Sequence, residues 1–370
     1  TILMNIPFFN YPRLYTDQKT DMLRIFEDVA SRGAFIMQSD LLEFEDSFAK
    51  FTKSNYALGV ANGTDAMELA LMAIGLNPGD EIIICSHTMV ATASAIVTAG
   101  GVPVPVELGY DNLIDPQAIE DAITPNTVGI MPTQLNGRTC NMDAIKLIAK
   151  KHSLFIVEDS AQALRSTFKG QHAGTFGLAG GISFFPAKVL GCFGDGGGVL
   201  IQDKELYHKI YQLHDHGRDT DGEIKSWGRN SRLDNLQAAF LNHGLASYQN
   251  IIDKRRSIAT LYQEQLGDLE ELMLPIAPNM EPDHYDVFQN YELEADDRDQ
   301  LQAHLKANGI GTLIQWSGKA VHQFPELGFN IKLPKVEKFF ERCLMLPMNI
   351  FLSEDEVTYI SNAVRGFYRS

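Results

Sequence analysis

Cysteine is scarce in this chain. There are four in 370 residues, Cys85, Cys140, Cys192 and Cys343, and none forms a CxxC pair or falls at a metal-ligand spacing. That argues against a disulfide framework and offers no metal site; reduced thiols buried in a cytoplasmic protein fit the pattern. Basic residues are also in deficit, 31 Lys and Arg against 47 Asp and Glu, for a formal net charge of -16. Nucleic acid and anionic membranes both reward a basic surface, so neither is expected as a partner. A local basic pocket for an anionic substrate stays open. No run approaches the roughly 20 apolar residues that cross a bilayer. The first residues, TILMNIPFFNYPRLY, lack the basic start and long apolar centre of a secretory signal, and Met4 is a candidate start. Repeats and low-complexity stretches are absent too.

What remains is an ordinary globular composition, 45% hydrophobic and 21% charged. The length is too great for one simple core, so two domains are expected. From residue 56 short β-rich runs recur: Tyr56–Ala61, Glu81–Cys85, Val102–Val106, Val128–Met131, Leu154–Val157, Ile182–Phe185 and Gly198–Ile201. Helical patterns lie between several of them, at Thr64–Ile74, Val90–Ala99, Pro116–Ala122 and Met142–Lys151. Alternation of this kind predicts an α/β fold with a mostly parallel sheet covered on both faces. Ligands then gather at the carboxyl ends of the strands. After about residue 240 the pattern changes. A long helical stretch, Leu233–Tyr262, precedes a strand at Asn290–Glu294, a helix at Arg298–Asn308, a strand at Gly311–Trp316, and helices at Pro334–Leu344 and Ser353–Tyr368. The expected division is a large domain over residues 1–245 and a smaller α+β domain over 246–370, with residues 1–40 packing on the smaller one.

Three segments carry chemistry. In YALGVANGTDAMELALMAIGL a strand meets a helix through Asn62-Gly63-Thr64. Thr64 is placed to cap the helix, Gly63 permits close approach of a ligand, and free N–H groups at a helix start bind phosphate. A plain capped turn is the alternative. In LFIVEDSAQA a β-run ends at Glu158-Asp159, with Gln162 three residues on. Asp159, at the ligand edge of a sheet, could meet a metal, a ribose or a protonated pyridine nitrogen, or cap a helix. In GGISFFPAKVLGCFGDGGGVLI, Lys188 follows Ser183 by five residues and precedes a glycine run. A lysine among aromatic, proline and glycine residues is not on a solvated face; partial burial lowers its basicity and makes it an amine nucleophile. A surface lysine beside a glycine-rich turn is the alternative. The glycine run fits neither the Walker nor the GxGxxG pattern. Taken together, the segments fit pyridoxal 5'-phosphate (PLP). That cofactor needs a phosphate cup (Thr64, Ser183), an acid for its ring nitrogen (Asp159), a partner for its phenolic oxygen (Gln162) and an amine for its aldehyde (Lys188).

The same segments resemble the DegT-type (DegT/StrS) sugar aminotransferases of fold type I. That family's pattern of ANGTDA, EDxAQA, SFxPxKxLGxxGDGG and NSRLDxxQAA is met in order at Ala61–Ala66, Glu158–Ala163, Ser183–Gly197 and Asn230–Ala239. The likeness runs from GAFIMQSDLLEFEDSFAKF to LPMNIFLSEDEV, almost the whole chain. The resemblance implies a large PLP domain with a smaller C-terminal domain. Position by position, it implies Lys188 as the residue that carries PLP as a Schiff base, and Asp159 on the ring nitrogen. Gln162 falls on the ring's oxygen side, and Gly63, Thr64 and Ser183 on the phosphate. It further implies a homodimer with shared active sites, in which Asn230 reaches the phosphate of the neighbouring subunit. Transfer from L-glutamate, leaving 2-oxoglutarate, to a keto sugar is the implied reaction, in surface polysaccharide or lipopolysaccharide biosynthesis. The acceptor is a nucleotide-linked 3- or 4-keto-deoxysugar or a free keto sugar acid.

Some positions depart from the common family pattern. An aromatic residue often stacks on the ring, where this chain has Met89, whose sulfur can also pack on a ring. Where many members read HLYGQ, this chain reads QLNGR, Gln134 to Arg138. Arg138 is a candidate grip for a phosphate or carboxylate of the acceptor, with a salt bridge or dimer contact as the alternative. Trp316, Lys319 and His322, in IQWSGKAVHQ, are further candidate acceptor contacts. Two other readings compete. A sugar dehydratase on this scaffold carries His where Lys188 stands, and a PLP-binding regulator would not need the full set of Lys188, Asp159 and Gln162.

Overall fold

The structure, a computed structural model, describes residues 4–369. Its centre is a seven-stranded sheet. The strands are β1 (Tyr56–Val60), β2 (Glu81–Cys85), β3 (Val102–Val106), β4 (Thr127–Met131), β5 (Phe155–Asp159), β8 (Ala179–Ser183) and β9 (Gly197–Ile201). Between β5 and β8 the short strands β6 (Thr167–Phe168) and β7 (Gln171–His172) form a separate hairpin. Strand order in the central sheet is β1-β9-β8-β5-β4-β2-β3. β3, β2, β4, β5 and β8 run parallel, and β9 is antiparallel to both its neighbours.

Both faces of this sheet are apolar because both are covered, and alternate side chains go to opposite sides. Ile82 and Ile84 pack in the core beneath α4 (Gly63–Ile74), α5 (Val90–Thr98) and α8 (Lys204–His214). Ile83 and Cys85 point the other way, towards α6 (Pro116–Ala122) and α7 (Met142–His152). Further along that second face, Phe44 and Phe48 of α3 (Ser39–Thr52) and Leu241 of α9 (Asn235–Ala246) share a core with Ile182 and Leu200. All four cysteines are unpaired and buried.

The C-terminal part has its own core. α10 (Tyr248–Leu266), α11 (Arg298–Ala307) and α13 (Glu354–Tyr368) pack around Tyr262, Leu293, Leu301, Leu346 and Ile360. Its antiparallel sheet runs β10 (Leu272–Met273), β12 (Tyr291–Ala295) and β13 (Cys343–Leu346). β11 (His284–Tyr285), on the way into β12, pairs instead with β6, outside the C-terminal part. α12 (Pro334–Arg342) leads into β13. Residues 4–40 divide between the two parts. Ile6 lies in the small core and bridges Ile310, but Met22, Ile25 and Val29 of α2 (Lys19–Ser31), which follows α1 (Tyr11–Thr16), pack on Ala239 of α9.

The structure corrects four of the sequence expectations. Gly311–Trp316 is not a strand. Ile6 donates to Gly309 and accepts from Gly311, so the N-terminal segment takes up those backbone groups; only a bridge at Leu313 to Met345 survives before a tight turn over Gln315–Gly318. The Leu233–Tyr262 stretch breaks at Ser247 into α9 and α10. The Pro334–Leu344 helix stops at Arg342, because Cys343–Leu346 is buried throughout and pairs with β12. The cap of α4 is Asn62 rather than Thr64: its Oδ1 accepts from the Asp65 N–H at 2.8 Å, and Thr64 sits in the first turn.

Candidate active site

The carboxyl ends of β1, β2, β4, β5 and β8 face one edge of the sheet, and the residues singled out in the sequence collect there. Asp159 ends β5. Glu158, one residue earlier, points to the other side, where its carboxylate accepts from Gln134 Nε2 (2.9 Å) and from the N–H groups of Gly174, Phe176 and Gly177. Its role is structural: burial pushes this carboxyl up, and the four donors act against that shift. Asp159 is buried, and its Oδ2 accepts from the Thr92 hydroxyl at 2.6 Å while Oδ1 accepts from the Ala161 N–H at 3.2 Å. Burial pushes the Asp159 carboxyl up; the Thr92 and Ala161 donors and the charge of Lys188 act against it. Thr92 is itself backed by a buried row of hydroxyls, with Thr88 Oγ1 2.8 Å from Thr92 Oγ1 and 2.8 Å from Thr133 Oγ1. Such a row can point each proton towards Asp159.

Lys188 lies on the loop between β8 and β9. Burial lowers the basicity of its amine, and the charge of Asp159 opposes that shift. Among the described residues no hydrogen bond engages Nζ, so the amine is free for chemistry.

The phosphate cup can be tested on the backbone. A Cβ on Gly63 would come within 2.9 Å of the Ser183 Cβ, and a Cβ on Gly197 within 2.3 Å of the Asn62 carbonyl carbon. Only glycine lets the start of α4 lie against the ends of β8 and β9, and that brings the helix N-terminus beside Ser183. Ser183 Oγ accepts from the Phe185 N–H at 3.3 Å, which leaves its own proton to donate. A helix N-terminus with hydroxyls at Thr64 and Ser183 suits a phosphate. Gln162 is fixed by the Asn136 N–H, which donates to its Oε1 at 2.8 Å. Met89, 50% exposed, stands at the start of α5, the helix that supplies Thr92. Free amine, buried acid and phosphate cup thus share one edge, and these residues fit PLP.

Asn230 is exposed, but its neighbours are not free. Arg229 pairs with Glu68 at 2.5 Å, and the Ser231 hydroxyl donates to Asp65 Oδ2 at 2.7 Å, so both are clamped to α4. The preceding arm displays Ile224 and Trp227, which is 96% exposed.

Of the roles expected for Arg138, an acceptor grip and a salt bridge or dimer contact, the structure shows the salt bridge. Its guanidinium is buried and meets three carboxylates: Asp286 at 2.8 Å, Asp111 at 3.5 Å and Glu281. Its donors face protein acceptors, so it ties three loops together and offers no free charge to an acceptor. Arg138→Ala is accordingly expected to lower stability by about 3 kcal/mol or more, since buried carboxylates lose their counter-charge. It should damage the glutamate and sugar half-reactions alike. Thermal melts beside stopped-flow and steady-state kinetics check this; an unchanged melt with a raised acceptor KM alone would restore the substrate role.

His322 is likewise engaged, between Ser86 Oγ (2.7 Å) and Glu337 Oε1 (2.9 Å). Trp316 sits on the left-handed turn, edge-on to His87. Lys319 is exposed, with its Nζ over the Phe324 ring. That turn reaches the site through Gln315, whose Nε2 donates to Glu292 at 2.8 Å and to Asn136 Oδ1 at 3.1 Å. Sequence reasoning missed Thr92 and Asn136. The Thr88/Thr92 spacing of four was the available signal for the first; the Asn136-Gly137 turn dipeptide within QLNGR was the signal for the second.

An α/β chain built on this mostly parallel central sheet has the fold of the type I aminotransferases, which its solved neighbours share. Residues 16–365 match the model of the DegT/DnrJ/EryC1/StrS aminotransferase family, and the chain belongs to that family. It is a PLP-dependent transaminase. It is similar to the pleiotropic regulatory protein of Geobacillus stearothermophilus, 35% identical with 99% of each chain covered. It is also similar to the dTDP-3-amino-3,4,6-trideoxy-alpha-D-glucose transaminase of Streptomyces venezuelae, 35% identical over 97% of this chain and 95% of that one. Among solved structures, NtdA from Bacillus subtilis with bound cofactor PMP superposes with a TM-score of 0.91 at 28% identity, covering 100% of this chain and 86% of that chain.

Proposed function

We propose that this transaminase moves an amino group from L-glutamate to a nucleotide-linked keto-deoxysugar, in the cytoplasm and as a homodimer, for the assembly of surface polysaccharide. The observation that carries the reading is a half-buried Lys188 amine with no hydrogen-bond partner among the described residues, on the loop at the sheet edge where the buried Asp159 ends β5, each group acting electrostatically on the other. The nucleotide-linked acceptor is preferred because the Streptomyces venezuelae relative is named for a dTDP-linked amino sugar.

PLP, when bound, supplies an electron sink for the bond broken at the donor's α-carbon. Asp159 holds a proton at the ring nitrogen, because a nearby negative charge favours the cationic form. Lys188 Nζ, once released from the cofactor, would take the proton from the donor's α-carbon as base and deliver it as acid to the cofactor's aldehyde-derived carbon. Gly63, Thr64 and Ser183 would hold the phosphate, Gln162 would meet the ring oxygen, and Met89 would lie against the ring. Asn230 serves the partner's site, and Trp316 and Lys319 border the acceptor.

A second reading, a PLP-binding regulator, is favoured by the name of the Geobacillus stearothermophilus relative. Purified protein given glutamate and a panel of dTDP-linked, UDP-linked and free keto sugars separates the two. The expected result is stoichiometric 2-oxoglutarate and an amino sugar from a nucleotide-linked acceptor, with sedimentation as a dimer. Failure to release 2-oxoglutarate at all would leave the regulator.

A further inference from the structure

Lys188 sits in a stretch, residues 186–196, without regular secondary structure. The peptide groups that flank it have no strand or helix to hold them, yet a proton-moving amine has to be placed to within about 1 Å. The support comes from a residue about a hundred positions later. Gln289 Nε2 donates to the Ala187 carbonyl at 2.8 Å, and the Val189 N–H donates to Gln289 Oε1 at 2.9 Å. One buried amide therefore grips the chain on both sides of Lys188, as a neighbouring strand would.

Gln289 is itself fixed. Its N–H donates to the Asn136 carbonyl at 3.0 Å, the Val287 N–H donates to the Gly137 carbonyl at 2.9 Å, and Arg255 donates to the carbonyls of Phe288 and Gln289, both at 3.0 Å. Gly137, at φ +88°, is what allows this approach: a Cβ there would meet the Phe288 nitrogen at 2.8 Å. From the same segment Asn290 Nδ2 donates to Asn136 Oδ1 at 2.9 Å, and Asn136 is the residue that holds Gln162.

We propose that Gln289 is a positioning residue for Lys188, and that the segment 287–290 sets the amine and the Gln162 ring contact from one support at the entrance to the small domain. The inference rests on Lys188 as the cofactor-bearing amine. Gln289→Met keeps the length of the side chain and removes both bonds. Gln289→Glu keeps the acceptor for Val189. Gly137→Ala moves the segment without touching the amide.

Apoprotein of each is mixed with PLP and the rise of visible absorbance followed; kcat, KM for glutamate and thermal melts are measured on the same samples. For Gln289→Met the expected result is bond formation at Lys188 slowed about tenfold or more and kcat lowered about tenfold to a hundredfold, with KM within about twofold. Gln289→Glu should recover part of the loss, and Gly137→Ala should show the same split between kcat and KM. Wild-type uptake and kcat in Gln289→Met would overturn the proposal. So would a fall in kcat that tracks melting temperature and is no smaller in Gln289→Glu. A wild-type chain that formed no bond at Lys188 overturns both this inference and the reading beneath it; variants at wild-type values overturn this one alone.

Discussion

Lys188→Ala is expected to retain its fold and lose transamination by more than about a thousandfold, because in the proposed mechanism the residue both carries the cofactor and moves the proton, and proton transfer alone contributes about 10²–10⁴. Burial holds the amine in its neutral, nucleophilic form more readily than a surface lysine, and no hydrogen bond from the described residues competes for it. The unsubstituted protein should be yellow, and borohydride should fix the cofactor to the peptide that contains Lys188. PLP should still dock in Lys188→Ala through the α4 N-terminus and Ser183, but wash out on dialysis. A reduced adduct mapped to any other lysine would show that the loop between β8 and β9 has another purpose.

Asp159→Asn is the second large effect. The substitution keeps the shape and the contact to the Ala161 N–H, but puts an amide where Thr92 now donates. Removing the charge that holds the ring-nitrogen proton should lower turnover by about a hundredfold or more, the scale of one strong electrostatic contact. Stability should move the opposite way. Burial raises the Asp159 carboxyl in the folded chain. A group raised on folding contributes stability at low pH that is lost as pH climbs through its folded value. At neutral pH and above, apoprotein of the Asp159→Asn variant should therefore melt no lower than wild type. A melt that fell together with turnover would mean that Asp159 is a scaffold residue.

Much of this site was legible because strand ends and helix starts are local events. Five-residue β-branched runs bounded by glycine and polar residues located β2 and β3 to the residue, and placing Asp159 and Lys188 at the ends of such runs put them at the ligand edge. What was not legible depends on distant partners. Arg138 stayed open between an acceptor contact and a salt bridge because Asp111, Glu281 and Asp286 come from other stretches of chain. Gly311–Trp316 read as a strand because nothing in its own pattern reveals that Ile6 takes the Gly311 N–H and that the chain turns tightly at Gln315–Gly318. Thr64 read as the cap because Asn62, two residues earlier, is an equally good one. Thr92 looks like any polar residue in an apolar helix until the fold turns it towards Asp159.

The antiparallel β9 has a consequence for how the protein is made. Among the described residues β1 has no other partner in the central sheet: it pairs only with β9, some 140 residues away, while β9 also completes β8. Until residue 201 has left the ribosome, the strand that leads into the Asn62-Gly63 turn can pack on α3, where its Gly59 N–H donates to Glu45 Oε1, but has no strand to pair with, and the lysine loop has no far anchor. Pairing across so long a stretch is slow. The nascent chain must meanwhile carry two unpaired edges, which invite association with other chains. The phosphate turn and the reactive amine are therefore brought together in one late event of synthesis. Chains arrested before β9 should neither take up PLP nor stay soluble without a chaperone, whereas chains extended just beyond it should have assembled the central sheet.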